Sequence, residues 1–308
     1  MRIVFMGTPE IAATCLGRLL ADGHEIAAVY TKPDTPKGRG HKLAQSPVKV
    51  LASERGIPVY QPDSFRDDAV VDELQALRPE LIAVVAYGKL LPQRVLDIPP
   101  RGCINIHGSL LPALRGSGPV QWAILNHLDE TGVTAMYLAA EMDAGDMIAV
   151  KKTAIDPMET SGELMDRIAV LGAELLGETV AAIGAGTAAR IPQDPALVTY
   201  APMLSKELSP VDWGKTRREI VDQVRGLQPW PVATAELGGT KFKIFRVEPT
   251  GRTTASAPGT LLALTKQGLE IACGGGEALC ITQLQAEGGR RMAAADYFRG
   301  HPISIGER

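Results

Sequence analysis

The sequence predicts an α/β fold in two parts: a Rossmann-like, mostly parallel sheet covered by helices, followed by a small β-barrel domain. Three observations carry that prediction. Over the first two-thirds of the chain, apolar runs of strand length alternate with stretches of helical period. After Gly186 the pattern gives way to a stretch with little periodicity, marked by Pro192, Pro195 and Pro202. Beyond it come short strands separated by turn residues, which suit an antiparallel β domain. The expected division is 1–187, a linker at 188–207, and 208–308.

Each element has a local reason. Residues 2–6 form an apolar strand, and Pro9 suits the first turn of a helix in which Ile11, Cys15, Leu19 and Leu20 recur at helical spacing. A second strand covers 25–31. Ser46 followed by Pro47 reads as an N-cap with proline at the first helical position, opening a helix through Glu54. Strands follow at 57–60, 81–86, 103–107 and 132–137, with a helix at 68–77 and a longer one at 161–183. Such alternation argues for a parallel sheet buried on both faces. In the last third, a helix at 216–226 precedes strands at 233–237, 241–247, 259–264, 269–272 and 278–284, with Gly238-Gly239 as the first hairpin turn.

Composition narrows the classes. With 308 residues and 45% hydrophobic content the chain can build two cores, and disorder is excluded. The formal net charge is −3, so any nucleic-acid binding must come from local clusters of Lys and Arg. Cys15, Cys103, Cys273 and Cys280 form no CxxC pair and sit in apolar stretches, as buried reduced thiols do. That fits a reducing compartment. No apolar run reads as a signal peptide or membrane helix, so a cytoplasmic protein with no membrane attachment is expected.

The stretch with most chemistry is Cys103-Ile104-Asn105-Ile106-His107-Gly108-Ser109-Leu110-Leu111-Pro112. Asn105 and His107 stand two apart, so they share one face at the end of an apolar strand. Ligands of open α/β sheets bind beyond the carboxyl ends of the strands. The plainer alternative is that both side chains only cap the strand. Downstream, Asp143 sits in a turn bounded by Gly145, where a carboxylate can equally bond its own backbone.

Taken together, Asn105-x-His107-x-Ser109-Leu110-Leu111-Pro112, Arg115-Gly116, Pro119 and Asp143-x-Gly145-Asp146 resemble the formyltetrahydrofolate-dependent formyltransferases. The resemblance implies a catalytic set of Asn105, His107 and Asp143, with the loop Ser109, Leu110, Leu111 and Pro112 against the folate. The implied cofactor is 10-formyltetrahydrofolate as one-carbon donor, and no metal is called for. The residue types suit the reaction. When an amine attacks a formyl carbon, negative charge develops on the formyl oxygen. Asn105 can donate a hydrogen bond to it, and protonated His107 a charge-assisted one. Asp143 can hold the imidazole and take or relay the amine proton. Orienting and electrophilic roles both fit His107.

The catalytic pattern does not choose the acceptor, since members acting on glycinamide ribonucleotide or amino sugars share it. Two other features do. Lys32, Lys37, Arg39 and Lys42 oppose a single acid, Asp34, in a loop rich in Gly and Pro. Composition alone allows a merely solvated loop, yet the run through Ser46-Pro47 is similar to the inserted tRNA-binding loop of those members that formylate initiator methionyl-tRNA. About a hundred further residues follow, with Leu204-Ser205-Lys206-Glu207, Asp212-Trp213, Pro229-Trp230-Pro231 and Ala257-Pro258-Gly259-Thr260 resembling the OB-like tRNA-binding domain of the same members. Lys206, Lys215, Arg217, Arg218, Lys241, Lys243 and Arg246 are candidate phosphate contacts there. The implied partners are initiator methionyl-tRNA and the folate donor, and a monomer is expected. Ala113-Leu114 departs from relatives that carry a bulky basic-aromatic pair at that place.

Other classes fit less well. Met6-Gly7-Thr8-Pro9-Glu10 is not GxGxxG, and the second strand ends in Thr31-Lys32 where a nicotinamide site wants an acid. A non-catalytic RNA-binding protein would leave Asn105, His107 and Asp143 dispensable. Gly274-Gly275-Gly276 lacks the Lys-Ser/Thr of a phosphate loop and reads as a turn.

Overall fold

The computed structural model describes residues 1–37 and 42–306. In chain order its elements are β1 (Arg2–Gly7), α1 (Glu10–Ala21), β2 (Glu25–Tyr30), β3 (Thr35–Lys37), β4 (Lys42–Ala44), α2 (Pro47–Glu54), β5 (Val59–Tyr60), α3 (Asp68–Ala76) and β6 (Leu81–Val85). Then come α4 (Gln93–Leu96), β7 (Cys103–His107), α5 (Pro119–Leu125), β8 (Glu130–Tyr137), β9 (Met147–Ala154) and α6 (Ser161–Ala185). The last third holds α7 (Arg217–Gly226), β10 (Ala233–Leu237), β11 (Thr240–Thr253), β12 (Leu261–Leu264), β13 (Leu269–Cys273), β14 (Glu277–Ala286), β15 (Met292–Ala293) and α8 (Ala294–Gly300).

Chain contacts divide the molecule into two units, and the division is not contiguous in sequence. The first unit is Met1–Pro119, Glu130–Thr153 and Met165–Pro202; the second is Val120–Asp129, Ala154–Leu164 and Met203–Arg308. Two segments that the sequence reading gave to the N-terminal part thus pack with the C-terminal residues. Most of the expected linker, up to Pro202, packs with the first unit.

The first unit is built on a seven-stranded sheet in the order β5-β2-β1-β6-β7-β8-β9. Strands β5, β2, β1, β6 and β7 run parallel, and β8 is antiparallel to β7. Ile3, Val4, Phe5 and Met6 in β1 and Leu81, Ile82 and Ala83 in β6 are wholly buried. That explains their near-continuous apolar runs, because a central parallel strand is covered on both faces. One core cluster joins Val4, Met6, Ala28, Tyr30, Ile82 and Val84 to Leu74 of α3 and Val95 of α4. Helix starts follow local chemistry. Ser46 Oγ accepts the Lys49 N–H at 3.1 Å ahead of Pro47, and the Asp67 carboxylate accepts the Ala69 N–H at 3.0 Å.

The second unit is a six-stranded antiparallel sheet, with main path β10-β11-β14-β13-β12 and β15 paired to β14. The barrel expected from sequence is seen as this sheet, with β10 and β12 at the ends of the described path. Ile220, Val224 and Leu227 pack with Phe242, Ile244, Leu269, Ile271 and Leu284 in one core. Thr216 and Glu219 close a capping box at the start of α7.

Three further local readings are corrected. The exposed loop at Lys32 carries a two-stranded ribbon, β3 paired antiparallel with β4, which Pro36 and the shortness of the strands hid. Helices α5 and α8, of seven residues each, were too short to register as periodic. Helix α6 is long and apolar enough to cross a membrane by length and composition, contrary to the sequence reading, but 56% of its most apolar window is buried inside the protein. Its apolar character belongs to the core.

Candidate functional site

Asn105 and His107 lie on β7, between β6 and β8, at the carboxyl end of the parallel set. Asn105 is paired with Val84 on one side and Met136 on the other, and His107 faces Thr134 in register. The intervening Ile106 is buried on the opposite face of the strand, in keeping with the two-residue period. Asn105 is half-buried, and its amide makes no hydrogen bond to another described residue. A carboxamide left free in an otherwise apolar register is a donor without a protein acceptor.

His107 is held at both ring nitrogens. Its Nε2 lies 2.9 Å from the Leu114 carbonyl oxygen. A carbonyl only accepts, so Nε2 carries the hydrogen and donates. Nδ1 faces Asp143 Oδ2 at 3.7 Å, with the two side chains 7% and 14% exposed. That separation is too long for a hydrogen bond. Asp143 Oδ2 instead accepts the backbone N–H of Gly116 at 2.8 Å. The expected trio is therefore partly assembled: Asp143 meets His107 across the loop, and Asn105 shares the strand face with His107.

The loop after β7 is fixed by a residue that the sequence reading did not single out. The Leu111 N–H donates to Thr134 Oγ1 at 3.0 Å, and that hydroxyl donates to the Ser109 carbonyl at 2.7 Å. Ser109 Oγ in turn donates to the Ala113 carbonyl at 2.6 Å. Ser109 and Leu111 are buried; Leu110 and Pro112 are partly exposed. Thr134 sits opposite His107 on β8, a pairing invisible until the antiparallel register is known.

Leu114 and Asp143, which supply the two contacts of His107, have φ of +61° and +53°. Non-glycine residues in this region cost roughly 1–3 kcal/mol each and persist only where surroundings enforce them. Gly116 has φ of +119°, and a Cβ there would come within 2.6 Å of the Ala201 carbonyl oxygen, so its side chain is excluded on both counts. Arg115, part of the sequence motif, is 7% exposed.

The basic stretch has a built base. Asp34 accepts from Lys49 Nζ at 2.7 Å and from Gln61 Nε2 at 2.9 Å. Lys49 first, then Gln61, holds its carboxyl below the usual carboxylate range. Gln61 also donates to the Lys32 carbonyl at 2.7 Å. The single acid is thus spoken for by Lys49, and Lys32 is exposed. Arg39 and the side chains of Lys37 and Lys42 lie outside the described residues. In the second unit, Arg217, Arg218 and Arg246 pair with Glu277, Asp129 and Glu248. Exposed Lys241 and Lys243 alternate with buried Phe242 and Ile244 along β11, which puts both cations on the outer face. Among the described residues, no group of three or more His, Cys, Asp and Glu side chains is placed to hold a metal.

Comparison with known proteins matches both halves of the chain. Residues 1–180 match the formyl transferase family model, and residues 203–302 match the formyl transferase C-terminal domain model. The chain is 47% identical to a methionyl-tRNA formyltransferase of Geotalea uraniireducens, covering 99% of this chain and 97% of that protein. It is 46% identical to one of Acetivibrio thermocellus, covering 100% and 99%. Among solved structures, an N-formyltransferase of Helicobacter canadensis, in complex with folinic acid and dTDP-3-aminofucose, aligns with a TM-score of 0.70 at 18% identity, over 91% of this chain and 98% of that one. HypX of Aquifex aeolicus in complex with tetrahydrofolic acid aligns at 0.66 and 19% identity; it covers the whole of this chain, which spans about half (48%) of HypX. At these identities the two structures speak for the fold alone. The two family models and the full-length relatives place the chain in the formyl transferase family, among the methionyl-tRNA formyltransferases.

Proposed function

We propose that this chain transfers the formyl group of 10-formyltetrahydrofolate to the α-amino group of methionine on initiator methionyl-tRNA, giving formylmethionyl-tRNA for translation initiation. The observation that carries the reading is the approach of His107 and Asp143 at the end of β7, with Asn105 on the same strand, in a chain 47% identical over 99% of its length to a methionyl-tRNA formyltransferase. The donor set fits a folate formyl donor: a free carboxamide and a buried imidazole beside a carboxylate, with no nucleophile required.

When bound, the donor supplies a formyl carbon attached to nitrogen. The new C–N bond forms as the acceptor amine adds to that carbon, and the old C–N bond breaks as the folate nitrogen leaves with a proton. Asn105 donates to the formyl oxygen as charge develops on it. A donor of this kind is typically worth about 100- to 1000-fold in turnover. His107, held by the Leu114 carbonyl, presents Nδ1 toward Asp143 and the reacting groups. Asp143 orients the imidazole and takes or relays the proton shed by the amine. The Ser109–Pro112 loop lies against the folate. Lys32, Lys37, Arg39 and Lys42 face the tRNA, and the C-terminal sheet, read as OB-like, adds phosphate contacts. The protein acts as a cytoplasmic monomer without membrane attachment.

The test is acceptor choice. Purified protein with 10-formyltetrahydrofolate is offered initiator methionyl-tRNA, free methionine, glycinamide ribonucleotide and an amino-sugar nucleotide. Transfer to the charged tRNA alone is expected. Transfer to a small acceptor would keep the chemistry and overturn the tRNA assignment, and turnover without an acceptor would make the chain a hydrolase.

A further inference from the structure

We infer that Gln193, in the proline-marked segment after α6, is a positioning residue that sets the geometry of the His107–Asp143 pair. The inference rests on the proposed reading of that pair. The segment reads as a linker in the sequence, yet it is tied down at both ends within the first unit. Ile191 and Met147 exchange backbone hydrogen bonds at 2.8 and 2.9 Å. The Arg115 N–H donates to the Thr199 carbonyl at 2.9 Å, and the Ala201 N–H to the Arg115 carbonyl at 2.7 Å. The Leu114 N–H donates to Thr199 Oγ1 at 2.9 Å.

Between these ties stands Gln193, with its whole amide in use. Nε2 donates to the carbonyl oxygens of Asp143 (2.7 Å) and Gly145 (2.9 Å). Oε1 accepts from Arg115 Nε at 3.0 Å and Nη2 at 2.8 Å. Guanidinium only donates and carbonyls only accept, so one amide orientation satisfies all four bonds. One side of this bridge is the Asp143 turn, held at positive φ. The other is Arg115, flanked by the Leu114 carbonyl that fixes His107 Nε2 and the Gly116 N–H that fixes Asp143 Oδ2. Gln193 therefore joins the two loops whose spacing sets the 3.7 Å gap between His107 Nδ1 and Asp143 Oδ2. Glutamate at this place would keep Arg115 and lose both donations to the Asp143 turn. Methionine, of similar length, would lose both sides.

The experiment compares Gln193→Glu, Gln193→Met and Asp143→Asn for melting temperature, donor KM, kcat and the pH profile of kcat. A misplacement of about 1 Å costs on the order of 100-fold in rate. Gln193→Glu is expected to lower kcat by about 10- to 100-fold, with donor KM within about twofold of wild type, and to move the limb of the pH profile that reports the pair. A wild-type kcat and profile in Gln193→Glu, while Asp143→Asn is inactive, would overturn the positioning role and leave the site reading intact. So would a fall in kcat with an unmoved profile and a raised donor KM, which a merely structural residue produces. If Gln193→Glu does not fold, Gln193→Met carries the test, and loss of the fold in both makes the residue structural and overturns the inference. Full turnover in Asp143→Asn would remove the pair itself, and the inference with it.

Discussion

Thr134→Val isolates one hydroxyl on which the loop after β7 depends. Thr134 is wholly buried, and its hydroxyl both accepts from the Leu111 N–H and donates to the Ser109 carbonyl. Valine has nearly the same shape, so no cavity forms and the change is confined to hydrogen bonding. It leaves a buried N–H and a buried carbonyl without partners, at about 1–3 kcal/mol each. A combined loss of about 3 kcal/mol lowers the melting temperature of a unit of this size by roughly 6–12 °C. The same change frees the Ser109–Pro112 loop, so donor KM should rise at least about threefold and kcat/KM should fall about tenfold or more. Calorimetry or circular dichroism reads the first effect and initial rates with 10-formyltetrahydrofolate read the second, with Thr134→Ser, which keeps the hydroxyl, as control. A melting point within a degree of wild type together with an unchanged donor KM would refute the argument that this hydroxyl organises the loop.

Further predictions follow from other parts of the molecule. Burial pushes the thiols of Cys15 and Cys103 up to about 12 and that of Cys280 to about 11, and raises Cys273 as well; iodoacetamide near pH 7.5 should leave the native protein essentially unlabelled and modify all four cysteines in urea, and fast native labelling would contradict this. Thr216→Ala removes the cap of α7 and should cost about 1 kcal/mol at neutral pH. The Thr216 hydroxyl, then its N–H, holds the Glu219 carboxyl below its usual value. A depressed carboxyl stabilises the fold above its unfolded pKa, near 4.5, and that contribution is lost as pH falls through the lower folded value, so the gap between Thr216→Ala and wild type should narrow in acid; a gap independent of pH would argue against the capping box. Arg39→Ala or Lys42→Ala should weaken tRNA use, most at low salt and less as salt rises because a lost phosphate contact flattens the salt dependence, and leave folate binding unchanged; equal losses toward both substrates would count against a tRNA-facing loop.

What could be read from the sequence was local. Strand β7 was bounded correctly because Cys103, Ile104 and Ile106 are apolar and the polar pair ends the run. The shared face of Asn105 and His107 followed from the two-residue period alone. Ser46 and Pro47 announced α2 through their own chemistry. What stayed hidden depends on chain folding back on itself. Nothing in the neighbours of Thr134 says that it will lie opposite His107, because that requires the antiparallel register of β8. Gln193 and Thr199 lack any periodic signal, since their order comes from bonds to Arg115, Leu114 and the Asp143 turn. For the same reason the segment between Pro192 and Pro202 looked like a tether. The packing of Val120–Asp129 with the C-terminal residues also has a tertiary cause: Asp222, 3% exposed, accepts from His127 at 2.7 Å, and Arg218 donates to the His127 carbonyl at 2.7 Å.

The most direct test of the account is the single-turnover rate of Asn105→Ala with saturating 10-formyltetrahydrofolate and initiator methionyl-tRNA, measured alongside its folate affinity and melting temperature. The account predicts a fall of about 100- to 1000-fold in the transfer step, with folate affinity and stability close to wild type, because the free amide acts where charge develops and not where the donor is held. A transfer rate within a few-fold of wild type in the folded variant would contradict it.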